Sequence, residues 1–169
     1  MPSFQPSTIE MLGYVTTGVI LRTPVFANAT WIAVLATPIF TVYGRIRILS
    51  LDLEAVTAFS NTATLLKWQF DQSSPAVAAF DITGAALTCA QIAQGRRVSF
   101  QGTALNTPQV ISANPGCSLQ TPATMDIGCL NSVGTLDIIG AVAATSGTSI
   151  ITLCYVPMTD GAYVANIIT

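Results

Sequence analysis

Gly44-Arg45-Ile46-Arg47-Ile48-Leu49-Ser50-Leu51-Asp52-Leu53-Glu54 alternates polar and aliphatic side chains at a period of two, with one slip of phase at Leu49-Ser50. Successive side chains of an extended strand point to opposite faces. The stretch therefore predicts a strand with an apolar face of Ile46, Ile48, Leu51 and Leu53 and a polar set of Arg45, Arg47, Asp52 and Glu54. A slip of phase inside a strand marks a bulge or a change of face. The same period returns in residues 63–71, where Leu66, Trp68 and Phe70 alternate with Leu65, Lys67 and Gln69. With Asn61-Thr62 as the turn, these two stretches predict an antiparallel hairpin.

Working outward, β-branched and aromatic residues recur between Gly, Pro and Asn punctuation, and helical spacing is scarce. Further strands are expected at 14–22, 30–37, 39–43, 77–82, 96–100 (edge-type), 134–140, 149–156 and 162–168, the last two in one sheet. Residues 87–94, stopped by Gly95, form the one short helix candidate. The fold class expected is all-β, an antiparallel β-sandwich or barrel-like domain with extended arm or loop segments. Residues 1–43 are expected to supply an N-terminal arm and first strands, and residues 44–169 a β-rich core domain. The stretch 103–124 carries Pro108, Pro115 and Pro122 with little periodicity and reads as a long excursion.

Composition narrows what such a domain does. Hydrophobic residues make up 51% of the 169 and charged residues 8%, against about a quarter charged in ordinary soluble domains. No apolar run reaches the roughly 18 residues a membrane helix needs: residues 31–43 are broken by Thr37-Pro38, and residues 136–156 by Asp137 and Gly147. The start, Met1-Pro2-Ser3-Phe4-Gln5-Pro6, lacks the basic and apolar regions of a secretory leader. The economical explanation is surface buried between subunits, since obligate interfaces are apolar and poor in charge. A net charge of −2 disfavours nucleic acid as the main partner.

Catalytic chemistry finds little to work with. The chain has no histidine, the usual acid–base carrier near neutral pH. Motifs for phosphate cradling, dinucleotide binding and nucleophile elbows are missing. Cys89, Cys117, Cys129 and Cys154 form no C-x-x-C pair; they read as buried core thiols, with a Cys117–Cys129 bridge as the alternative. Asp52 and Glu54 could share a face as a carboxylate pair or an oxygen-ligand site, but cross-strand charge pairing accounts for them more simply. Arg96-Arg97 reads as a solvated strand start, Trp31 and Trp68 as core or interface aromatics, and Asn28-Ala29-Thr30 as a turn. No catalytic residue, metal site or cofactor is expected. Interface candidates are instead Phe4, Met11, Leu12, Leu105, Val110 and Ile111, apolar residues in Pro-rich segments suited to arms that reach a neighbouring subunit.

One motif carries a family resemblance. Gly134-Thr135-Leu136-Asp137, then Gly147-Thr148-Ser149-Ile150-Ile151-Thr152-Leu153-Cys154-Tyr155-Val156-Pro157-Met158-Thr159-Asp160-Gly161-Ala162-Tyr163-Val164, resembles a recurrent ending of small bacteriophage and prophage virion structural proteins. Gly44-Arg45-Ile46-Arg47-Ile48-Leu49 and Phe80-Asp81-Ile82-Thr83-Gly84 are similar to that family too, whereas residues 1–43 and the Pro-rich excursion have no counterpart in it. Met158 stands where the family often has Leu. The resemblance implies a non-enzymatic virion component, in the first place a capsid decoration or cement protein. Such a protein would associate with itself, as a homotrimer, and with the major capsid protein, and be made and assembled in the host bacterial cytoplasm. A tail or neck subunit is the alternative within that class; a carbohydrate-binding β-sandwich is the alternative outside it.

Overall fold

A computed structural model describes residues 18–59, 65–83, 87–88, 92–100, 110–111 and 128–168. In chain order its elements are β1 (Val19–Arg22), β2 (Phe26–Ala27), the single helical turn α1 (Asn28–Trp31), β3 (Thr37–Tyr43), β4 (Ile46–Thr57), β5 (Leu65–Ser74), β6 (Phe80–Asp81), β7 (Leu87–Thr88), β8 (Arg97–Phe100), β9 (Val110–Ile111), β10 (Gly128–Leu130), β11 (Val133–Gly140), β12 (Thr148–Pro157) and β13 (Tyr163–Asn166). They build two wholly antiparallel sheets. One runs β1-β12-β4-β8-β9, with β2 also on β12 and β10 also on β4. The other runs β13-β3-β11-β5-β6, with β7 also on β5. The sheets pack face to face as an all-β sandwich.

Through β1, β3, β4, β5, β6, β8, β11, β12 and β13 in turn, the chain changes sheet at every step except β5 to β6. The order β1-β12-β4-β8 opposite β3-β11-β5-β6 is that of a jelly roll, two interleaved Greek keys. This corrects two pairings expected from periodicity. Strand β4 bonds to β12, β8 and β10 and never to β5, which bonds to β11, β6 and β7. Likewise β12 and β13 lie in opposite sheets. Alternation fixes which face of a strand is buried and says nothing about its neighbour. Two apolar faces joined by a connection can close as a hairpin, or arch over and meet across the core, as here.

The slip at Leu49-Ser50 is a bulge. Cys154 pairs with Ser50 and Tyr155 with Ile48, so Leu49 has no partner across β12. The extra residue keeps Ile46 and Ile48 on the same inner face as Leu51, Leu53 and Ala55, all fully buried. Opposite them lie Phe40, Val42, Leu66, Trp68, Phe70, Leu136 and Ile138, also buried. Trp68 is the bridge: its ring stacks on Phe40 of its own sheet at 6.2 Å and meets Phe100 of the other sheet edge-on at 5.7 Å and 85°.

Other expectations change locally. Residues 30–37 are not a strand, because Ile32 N–H donates to Asn28 O and closes one helical turn, sinking Asn28 and Ile32 into the core. Of 77–82 only Phe80–Asp81 joins a ladder. The helix expected at 87–94 does not form as such: Leu87–Thr88 pair with β5, and Arg96 N–H bonds Ala93 O in a turn, while residues 89–91 lie outside the described residues. β8 is flanked by β4 and β9 and is no edge. Val110–Ile111, inside the Pro-rich excursion, pair with β8.

Gly134 sits in the centre of its sheet at a register shift against β5. A Cβ there would run into Asp71 O and the Phe70 ring. Gly134→Ala is expected to destabilise the chain by about 1–3 kcal/mol through overpacking against backbone. Trp68→Ala should cost more, about 3–5 kcal/mol, because it opens a cavity between the sheets. Urea unfolding followed by fluorescence or circular dichroism checks both; a loss below about 1 kcal/mol for Trp68→Ala would contradict its bridging role.

Candidate functional site

The outer face of the first sheet brings together Asp52, Glu54 and Arg97, three of the polar residues singled out in the sequence. Register sets Glu54 opposite Arg97 and Asp52 opposite Ser99, with Thr152 and Ile150 on the other flank. Arg97 Nη2 donates to Glu54 Oε2 at 3.1 Å, and Arg22 Nη2 from β1 approaches the same oxygen at 3.5 Å. Ser99 Oγ donates to Asp52 Oδ1 at 2.6 Å. The carboxylates thus do share a face: Glu54 takes its cations from β8 and β1, and Asp52 takes a hydroxyl hydrogen bond from β8. These pairs are partly exposed, so each stabilises by about 1 kcal/mol at most.

Burial pushes the Asp52 carboxyl above its ordinary value, against the opposing pull of the Ser99 hydrogen bond and the Arg97 charge. The Cys154 thiol, half-buried on the adjacent strand and free, is pushed up by its burial and by Asp52. A thiol held protonated beside a tied-up carboxyl is a poor nucleophile. Cys89 and Cys117 lie outside the described residues; Cys129 is placed only by its backbone, opposite Arg47.

On the outer face of the second sheet, Asp81 accepts from Lys67 Nζ at 2.9 Å and from Gln69 Nε2 at 2.8 Å. Burial would raise its carboxyl, yet these bonds and the Lys67 charge together hold it below the ordinary value. Asp137 lies within the central strand β11, inside the strand expected at 134–140. Burial pushes its carboxyl up, the Thr135 hydrogen bond pulls it down and the Asp71 charge raises it again. Among the described residues no three of His, Cys, Asp and Glu converge as a metal group.

The aromatics divide as burial predicts. Trp68 is fully buried and Trp31 packs half-buried against the core, so neither offers a bare stacking platform. Of the eleven exposed large apolar side chains among the described residues, Val25, Val34, Leu35 and Val142 lie at one end of the sandwich and Tyr43, Met158 and Tyr163 at the other, while Val19 and Ile20 lie on β1, Phe80 on β6 and Val77 just before it. Backbone bonds from Gly140 to Ala33 and from Ala144 to Ile32 bind the loops of the first end together. Sequence reasoning missed these positions because those in loops have no periodicity to betray exposure, and Tyr43 and Tyr163 stand at strand ends. Of its interface candidates, Phe4, Met11, Leu12 and Leu105 lie outside the described residues, and Val110 and Ile111 are placed only as backbone of β9.

The two raised carboxyls set a pH dependence. With its folded pKa above the ordinary 3.8, Asp52 binds more protons in the folded than in the unfolded chain between the two values. Its contribution to stability is therefore fully present below the unfolded value and lost as pH rises through the folded one. Asp52→Asn should then gain stability relative to the native chain as pH rises from 4 to 7, in urea titrations at both pH values. A variant that loses ground over that rise would contradict the burial account.

No family model, curated protein or solved structure matches the chain, so its function is read from its own topology and chemistry.

Proposed function

We propose that the chain is a structural subunit of a virus particle, acting by being packed against copies of itself or its neighbours. The specific form is a bacteriophage capsid decoration or cement protein. The observation that carries the reading is a jelly roll that spends its few charges on itself. Of the six basic residues, Arg22, Lys67 and Arg97 are held by carboxylates on the domain's own outer faces, while both ends present apolar side chains. A domain so poor in charge covers itself best by association, because burying apolar surface yields about 25 cal/mol per Å² before the cost of association is subtracted.

Jelly rolls also serve as lectins and cupins, and a fold alone assigns no function. Metal chemistry of the cupin kind draws on histidine, which the chain lacks. A sugar platform on Trp68 or Trp31 is unsupported, because the first ring is fully buried and the second packs half-buried against the core. The C-terminal motif fits a structural part: Gly134 allows close strand packing, Pro157 ends β12, and Asp160-Gly161 makes the turn to the opposite sheet, with Gly161 at φ +73°.

Quantitative mass spectrometry of purified particles tests the reading. A shell or decoration subunit is expected on the order of hundreds of copies per particle, and a neck subunit at about a dozen. Absence of the chain from particles that form in cells expressing it would overturn the proposal.

A further inference from the structure

Two turns interlock at one corner of the sandwich. Met158 N–H donates to Arg45 O at 2.8 Å, and Arg45 N–H donates to Thr159 Oγ1 at 3.3 Å. Gly44, at φ +82°, lies so close to Ala162 that a Cβ would meet the alanine methyl at 3.0 Å. On either side of this lock stand Tyr43 and Tyr163, cross-strand partners whose rings stack 4.5 Å apart at 16°. Such a pair supports the sheet edge, but it leaves Tyr43 38%, Tyr163 50% and nearby Met158 44% exposed. An open hollow of about 460 Å³, lined by residues 157–162, adjoins them. Arg45 and Asp160 are exposed at the same corner.

The chain also enters the fold here. β1 runs antiparallel to β12 with Val19 opposite Tyr155, and the Val164 N–H donates to the Tyr155 hydroxyl at 3.2 Å, which sets the start of β1 level with the start of β13. Seventeen residues precede Gly18, among them Met11, Leu12 and Tyr14, with Glu10 their one charged side chain. Met11 is seven residues from Gly18, within about 25 Å when extended. A tether that short keeps a segment at about millimolar effective concentration beside its point of attachment, so a modest apolar contact is occupied.

We propose that the Tyr43–Tyr163–Met158 corner is the seat of the chain's own N-terminal segment in the unassembled protein. Met11, Leu12 and Tyr14 supply the apolar contact, and Glu10 comes within reach of Arg45. Methionine and stacked aromatic rings offer a polarisable, adaptable surface for such side chains. The seat stands whether or not the chain proves to be a virion subunit.

Photocrosslinking in the full-length chain tests it. With Leu12→benzoylphenylalanine, irradiation should join position 12 to Met158 or Tyr163 within a species that migrates as a single chain on a denaturing gel. Adducts only elsewhere, only between chains, or none at all overturn the proposal. A second measurement uses a glutamate-specific protease, for which the chain offers Glu10 and, in core strand β4, Glu54. Tyr43→Ser with Tyr163→Ser should speed cleavage after Glu10 about tenfold, as the open population rises, while Tyr43→Phe with Tyr163→Phe leaves it unchanged. Equal rates in all three proteins overturn the proposal. Should cleavage after Glu54 show that the serine pair unfolds the chain, the crosslink on the native corner decides.

Discussion

The contact on which the rest depends is Trp68 against Phe100, a ring of one sheet set edge-on to a ring of the other. Almost every long strand is followed by one in the opposite sheet, so sequence neighbours rarely share a ladder. Local hairpins cannot hold such a domain together. Its stability rests on apolar faces meeting across the sandwich, and Trp68, stacked also on Phe40, is the largest side chain in that layer. Its indole Nε1 has no hydrogen-bond partner among the described residues, so size and shape rather than polarity hold it there. Pairings this distant in sequence close large loops before they yield contacts, and a slow-folding chain is the consequence.

The same arrangement separates what the sequence disclosed from what it concealed. Period-two alternation named the inner faces of β4 and β5 residue by residue, and the phase slip at Leu49-Ser50 located a bulge without any structure. Those are local properties of a pleated chain. Which strands lie side by side is a global property, and here the inference from adjacency misled: β4 and β5 lie in opposite sheets, as do β12 and β13. The turn at Asn28 was legible, but the burial of Asn28 and Ile32 was not, since it depends on backbone bonds to the distant loop at residues 140–147.

The candidate site divides along the same line. Cross-strand charge pairing, expected for Asp52 and Glu54, holds for Glu54, whereas Asp52 bonds the Ser99 hydroxyl instead. That Arg97 and Arg22 would be the partners of Glu54 did not follow from spacing, because both come from strands far away in the chain. The exposed ends of the jelly roll left no trace in the pattern at all. Composition bears on the same ends: the chain has 8% charged residues, and several of those described are paired with one another.

Self-association is therefore the property on which the account turns. Sedimentation velocity on the purified full-length chain, over a concentration series at neutral pH, measures it directly. Discrete closed oligomers or larger shells that grow with concentration and persist in high salt are expected, since apolar burial rather than charge would drive them. A monomer that sediments unchanged across the series would contradict it.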